Sequence, residues 1–167
     1  MKIKLVITDI DGVWTDGGMY YSSNGVETKK FNTSDSAGVL FLNHNNIPLA
    51  IMTSENSVIV TNRAKKLKIK HVFLGVQDKL SCAKELCEKL GISLNEVAFI
   101  GDDINDIKLL KSVAYSASPN NAPNYIKREV DLVLKINGGS GAFRNFIEIL
   151  LVKLNLWEKT KSFFTRD

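Results

Sequence analysis

The chain has 167 residues, 44% of them hydrophobic and 24% charged, with a formal net charge of +4 and a pI near 9.0. That composition excludes a disordered or fibrous chain and predicts one globular domain over residues 1–167 with a sizeable core. The basic excess is mild and spread out, and no Lys/Arg block alternates with aromatics, so an anionic small molecule fits better than nucleic acid as partner.

Two cysteines, Cys82 and Cys87, stand five apart on an expected helix, without metal-ligand spacing, as reduced thiols would in a cytoplasmic protein. No signal peptide is visible and the apolar runs are too short to span a bilayer, so no membrane partner is expected.

In chain order, Leu5-Val6-Ile7-Thr8 is apolar and β-branched, as a buried strand is. It ends at Asp9 and Asp11, one residue apart, before Gly12. If the chain stays extended there, both carboxylates point the same way, and such a pair calls for a cation or a shared proton. Met19–Tyr21 and Val26–Phe31 flank an Asn24-Gly25 turn, which predicts a β-hairpin insertion over about residues 17–31.

Ser34 or Asp35 can cap a helix running to about Asn45, with Val39, Leu40 and Leu42 on its apolar side. Ile47–Thr53 is a second buried strand, followed by a helix to about Leu67 and a short strand over residues 71–74. Asp78 caps the next helix; Leu80, Ala83, Leu86/Cys87 and Leu90 form its buried stripe, and Gly91 ends it. Glu96–Ile100 is another strand, running into Gly101-Asp102-Asp103-Ile104-Asn105-Asp106. A short helix with Leu109-Leu110, a strand over 113–117, a short helix, a strand over 130–135 and a helix over about 142–154 follow. The tail, residues 155–167, is basic and aromatic (Lys159, Lys161, Arg166; Trp157, Phe163, Phe164) but shows little pattern. This alternation predicts an α/β fold, a doubly wound and mostly parallel Rossmann-like sheet with no cap domain.

Ligands in such sheets bind at the carboxyl ends of strands. That edge collects Asp9 and Asp11, then Thr53, then Lys79 at a helix start, then Asp102, Asp103 and Asp106. Carboxylates suit a hard cation such as Mg²⁺, and a hydroxyl and an ammonium beside it suit phosphate oxygens. One carboxylate can attack phosphorus while a second protonates the leaving oxygen.

These four segments resemble the four motifs of the haloacid dehalogenase superfamily of phosphatases. Asp9-Ile10-Asp11-Gly12-Val13-Trp14-Thr15 is similar to the first, Thr53 to the second, Lys79 to the third and Gly101–Asp106 to the fourth. The resemblance implies that Asp9 is the nucleophile and Asp11 the acid/base, with Thr53 and Lys79 holding phosphoryl oxygens. It further implies Mg²⁺ on Asp9, the backbone carbonyl of Asp11, and Asp102, with Asp103 and Asp106 behind or bridged by water.

Residues 16–46 and 54–77 are too short to house a cap. The whole chain resembles the capless tetrameric branch that hydrolyses 3-deoxy-2-keto sugar acid phosphates, through the hairpin, Phe31–Gly38 and Gly138-Gly139-Ser140-Gly141-Ala142-Phe143-Arg144. This implies a homotetramer in which a neighbouring subunit closes each site. Octulosonate 8-phosphate phosphatases have Gly-Arg after the second-motif threonine, where this chain has Ser54-Glu55. Ser54 and Glu55, with Arg63 and Lys66, look more like a nonulosonate 9-phosphate phosphatase of sialic acid synthesis. The expected substrate is therefore a nonulosonate 9-phosphate, with octulosonate 8-phosphate as the alternative. A non-catalytic tetramerising module of a sugar nucleotidyltransferase and a mutase remain as other classes. The tail covers a neighbour's site, docks on its own subunit or is disordered.

Overall fold

Three strands of four residues, each buried along its whole length, form the middle of the protein: β1 (Leu5–Thr8), β4 (Leu49–Met52) and β6 (Val97–Ile100). Their side chains alternate between two apolar cores. Val6, Ile51, Ala98 and Ile100 join one, and Leu5, Ile7, Ala50, Met52, Val97 and Phe99 join the other. With both faces covered, each strand reads as an unbroken apolar run, as central parallel strands do.

A computed structural model describes residues 1–165; Arg166, assigned above to the basic tail, and Asp167 lie outside the described residues. The sheet has six parallel strands in the order β5-β4-β1-β6-β7-β8, with β5 at His71–Phe73, β7 at Tyr115–Ser118 and β8 at Leu132–Val133. From β1 the chain builds outward through β4 and β5, then returns to β6 on the other side of β1. Strand order thus reverses around β1, and the carboxyl ends of β4, β1 and β6 meet at that switch point.

One core is covered by α1 (Asp35–His44), α2 (Val58–Lys66) and α6 (Ala142–Lys153), through residues such as Val39, Val60 and Phe146. The other is covered by α3 (Lys79–Leu90), α4 (Ile107–Leu110) and α5 (Asn124–Lys127), through residues such as Leu86, Leu109 and Ile126. The insertion is a short antiparallel ribbon, β2 (Tyr20–Tyr21) with β3 (Glu27–Thr28), standing apart from the main sheet.

Several expectations need correction. Leu40 is 54% exposed and Phe41 takes its place in the core, because the buried face of α1 is Gly38, Val39, Phe41 and Leu42. Leu90 is also exposed, in the last turn of α3, next to Gly91 in the left-handed conformation. Neither Ser34 nor Asp35 caps α1 through its side chain. Asp35 instead accepts the backbone N–H of Arg144 at 3.0 Å and so serves the first turn of α6. Asp78 does cap α3, accepting the N–H of Ser81 at 3.1 Å.

The tail is not patternless: α7 (Trp157–Phe164) docks on its own subunit. Trp157 and Phe164 both meet the ring of Phe41 edge-on, at 5.5 Å between centroids, and Phe163 stacks on His44 at 4.2 Å. Among the described residues, no helix is long and apolar enough to cross a membrane.

Candidate active site

The loop after β1 is held by its own backbone. The N–H groups of Val13, Trp14 and Thr15 all turn back to the Ile10 carbonyl. Trp14 anchors the turn from inside, donating to Thr8 Oγ1 at 3.0 Å while its ring stacks on Phe143 at 4.5 Å. Asp9 comes straight off the strand and is buried. Its Oδ1 accepts the Ile10 N–H at 2.7 Å, and its Oδ2 faces the Lys79 ammonium at 2.8 Å.

Lys79 is buried at the first turn of α3, between Asp9 and Asp106. Burial works to lower its pKa, but the two carboxylates outweigh burial and hold it above the ordinary lysine value. Asp106 also organises the loop after β6: its Oδ2 accepts the N–H groups of Asp102 and Asp103, at 2.9 and 3.1 Å. Asp103 is exposed, caps the short turn at residues 104–106, and accepts from the Tyr125 hydroxyl at 3.3 Å.

Ligand oxygens of Asp9, Asp102 and Asp106 all lie within 4.8 Å of one another. Asp102 Oδ1 is buried without a hydrogen-bond partner among the described residues. Burial, then the Asp9 and Asp106 charges, push the Asp102 carboxyl up to about 8. Burial and Asp106 likewise push Asp9 up, to about 7, against the pull of Lys79. Formally, three carboxylates and one ammonium leave two negative charges unbalanced, the charge of one divalent cation. An all-oxygen set with an orphaned carboxylate oxygen fits Mg²⁺.

Two glycines make this proximity possible. Gly12 has φ +83°, and a Cβ there would fall inside the Asp102 carboxylate. A Cβ on Gly138 would run into the Gly12 carbonyl. The Gly138–Gly141 segment therefore lies directly on the nucleophile loop, tied by the Gly139 N–H to Val13 O at 3.0 Å.

A cavity of about 310 Å³ opens over these groups, lined by Asp9, Asp11, Gly12, Gly17, Thr53, Ser54, Glu55, Asp102, Asp103 and Asn105. Thr53 is buried at the end of β4, and its hydroxyl accepts the Glu55 N–H at 3.3 Å. Asn105 bridges the mouth by donating to Ser54 Oγ at 2.7 Å. A cleft of about 330 Å³ at the amino-terminal ends of β4 and β5 is lined by residues such as Pro48, Ile69 and His71, with no carboxylate.

Of the residues singled out in sequence, Asp9, Thr53, Ser54, Glu55, Lys79, Asp102 and Asp106 come together, and Asp103 reaches the rim. Asp11 also lines the cavity, but its carboxylate turns to Lys29 and Thr15 rather than joining the Asp9 cluster, because the chain turns at residue 11 instead of staying extended. An Asp106 oxygen lies within 4.8 Å of ligand oxygens of Asp9 and Asp102, while the same carboxylate holds Lys79 and the N–H groups of Asp102 and Asp103. Arg63 and Lys66 do not line this cavity. Arg63 donates to Ser36 Oγ at 2.9 Å and lies 5.6 Å over the Phe31 ring, while Lys66 is exposed in the last turn of α2. Lys29 and Asn105 were missed. Asn105 lies within the acidic segment and could have been found there; Lys29 carries no sequence signal.

Comparison with known proteins agrees with this geometry. The profile of the haloacid dehalogenase-like hydrolases matches residues 55–145. The 3-deoxy-D-manno-octulosonate 8-phosphate phosphatase KdsC of Haemophilus influenzae is 38% identical over 150 residues, 90% of this chain and 83% of that protein. The crystal structure of the Moraxella catarrhalis 3-deoxy-D-manno-octulosonate 8-phosphate phosphatase, in complex with magnesium, phosphate and KDO, superposes with a TM-score of 0.94 at 37% identity, covering 98% of this chain and 94% of that one. The cobalt-bound Haemophilus influenzae phosphatase gives a TM-score of 0.89 at 36% identity, covering 98% and 94%.

Proposed function

The chain belongs to the haloacid dehalogenase-like hydrolases and is a phosphoric monoester hydrolase close to the KdsC phosphatases, and on that premise we propose that it hydrolyses a 3-deoxy-2-keto sugar acid phosphate with Mg²⁺. The observation that carries this reading is the meeting of Asp9, Asp102 and Asp106 oxygens within 4.8 Å, beside Lys79 and under an open cavity.

Asp9, Asp102 and the Asp11 backbone carbonyl would hold the ion, with Asp106 close behind. When bound, Mg²⁺ supplies charge neutralisation for the phosphoryl oxygens. Asp9 attacks phosphorus through a carboxylate oxygen. The bond from phosphorus to the sugar oxygen breaks, and that oxygen takes a proton from Asp11. Water then attacks the aspartyl-phosphate and returns a proton to Asp11, releasing phosphate and restoring Asp9. Thr53 and Lys79 orient the phosphoryl group.

The relatives' names favour 3-deoxy-D-manno-octulosonate 8-phosphate, the alternative above, over the nonulosonate expectation. A specific observation keeps the nine-carbon reading as second: Ser54 and Glu55 both line the cavity, putting an anion where the octulosonate enzymes carry a cation. The open cavity and the exposed Met19, Tyr20, Tyr21 and Val26 on the hairpin support a homotetramer that closes each site from a neighbouring subunit.

The test is phosphate release with Mg²⁺ from both sugar acid phosphates, compared by kcat/KM. Preference for the eight-carbon ester is the expected result. Preference for the nine-carbon ester transfers the assignment to the second reading. Release from neither, by folded protein, overturns both and returns the chain to the non-catalytic alternative.

A further inference from the structure

Lys29 and Lys30 are neighbours on the returning arm of the hairpin, yet they behave oppositely. The Lys30 side chain is 67% exposed and only grazes Asp16, at 3.5 Å. The Lys29 side chain is 5% exposed, and its ammonium sits 2.7 Å from each carboxylate oxygen of Asp11. Glu27 Oε1 lies 3.7 Å from the same nitrogen, and the Thr15 hydroxyl donates to Asp11 Oδ1 at 3.2 Å. Immobilising a long side chain this way costs conformational entropy, which the charge-assisted contact to both oxygens offsets while it fixes one orientation of the carboxylate. Lys29 is not among the residues lining the cavity, so it reaches the chemistry through Asp11.

We propose that Lys29 is the positioning residue of Asp11: an ammonium carried by the hairpin fixes the acid's carboxyl group at the carboxyl end of β1, and the hairpin's conformation thereby controls proton delivery to the leaving oxygen. This rests on the phosphatase reading and on the role given there to Asp11. Among the described residues, the other side-chain hydrogen-bond partner of Asp11 is Thr15, which belongs to its own loop. A hairpin shifted by a neighbouring subunit would move Lys29 and with it the acid.

The experiment compares two esters of different leaving-group demand. A sugar or other alkyl phosphate needs a proton on the departing oxygen; p-nitrophenyl phosphate departs as a stabilised phenolate and does not. In Lys29→Met, kcat/KM for the alkyl ester should fall by roughly 30-fold, less than the roughly 100-fold or more that a whole general acid supplies because Asp11 is misplaced and not removed, while that for the aryl ester falls by less than about threefold. Lys29→Arg, which keeps the charge, should recover most of the ratio. If Lys29→Met does not fold, Lys29→Gln serves, with the same direction and a smaller amplitude. Equal losses on both esters would reduce Lys29 to a pin for the hairpin and overturn the inference, as would an unchanged ratio. Wild-type turnover of both esters, run alongside, tests the phosphatase reading separately.

Discussion

Lys79 Nζ lies 2.6 Å from Asp106 Oδ1, and neither side chain has any exposure to solvent. A pair this deep contributes less by its own attraction than by what its loss would leave behind. In Asp106→Ala the ammonium keeps only Asp9, and the Asp102 and Asp103 N–H groups lose their shared acceptor. Unfolding free energy should fall by about 3–5 kcal/mol. Phosphate release should fall by more than a mere stability loss explains, measured at a temperature where the variant is still folded. Urea denaturation and a phosphate assay on the same sample check both. A variant as stable as wild type would show that the loop after β6 is held by something else.

Gly12 offers a steric test of the same centre. Alanine there would face both the φ of +83° and the Asp102 carboxylate. The backbone term alone costs about 1–2 kcal/mol, and the collision must turn Asp102 away. Mg²⁺ affinity, read by calorimetry, should drop at least tenfold in Gly12→Ala, with activity dropping alongside. Retained affinity would mean that Asp102 is not a ligand.

Stripping divalent ions with a chelator should abolish phosphate release and leave the fold intact, because the two cores do not depend on the ion. Restoring Mg²⁺ should restore activity and raise the melting temperature in a concentration-dependent way, since an ion that binds only the folded state stabilises it by mass action. Full activity in chelator would remove the cation from the reaction.

How far these features could be read from the chain depended on their range. The strands β1, β4 and β6 were legible because burial on both faces makes them continuous apolar runs. Their ends were legible because the acids follow the strands directly. By contrast, Lys29 meets Asp11 only because a hairpin folds back over 18 residues, and Asp35 serves a helix start 109 residues away. Neither relation has a local period or spacing. Leu40 and Leu90 were misplaced because an apolar residue at helical spacing is counted inward unless a neighbour claims the face, as Phe41 does. The helix α7 was overlooked since its apolar residues cover only one edge, against Phe41 and His44.

Asp35 gives a prediction in pH. Burial pushes its carboxyl up to about 6 from an ordinary 3.8, against the pull of the Arg144 N–H and the Arg63 charge. A carboxyl with a raised folded pKa favours the folded state when protonated. That stability is fully present below about pH 4 and is lost as pH rises through about 6. Asp35→Asn keeps an acceptor for Arg144 and removes the titration. The difference in unfolding free energy, wild type minus variant, should therefore fall between pH 4 and 6 by about 2–3 kcal/mol and then level off. A flat difference across that window would show Asp35 ionised normally despite its burial.

The last helix separates docking from closure. Thr160 is buried; its hydroxyl donates to the Leu156 carbonyl and accepts from Asn45 Nδ2, both at 2.8 Å. With Trp157 and Phe164 on Phe41, this makes α7 part of its own subunit's packing against α1. Thr160→Val keeps the shape and leaves Asn45 Nδ2 one acceptor short, which should cost about 1 kcal/mol. Ending the chain before Trp157 should cost several times that, because it also exposes Phe41. In both variants KM should stay within about twofold of wild type, since a lid contributes to substrate binding and a packed helix does not. A tenfold rise in KM in the shortened chain, with the melting temperature barely changed, would assign α7 to closing a site instead.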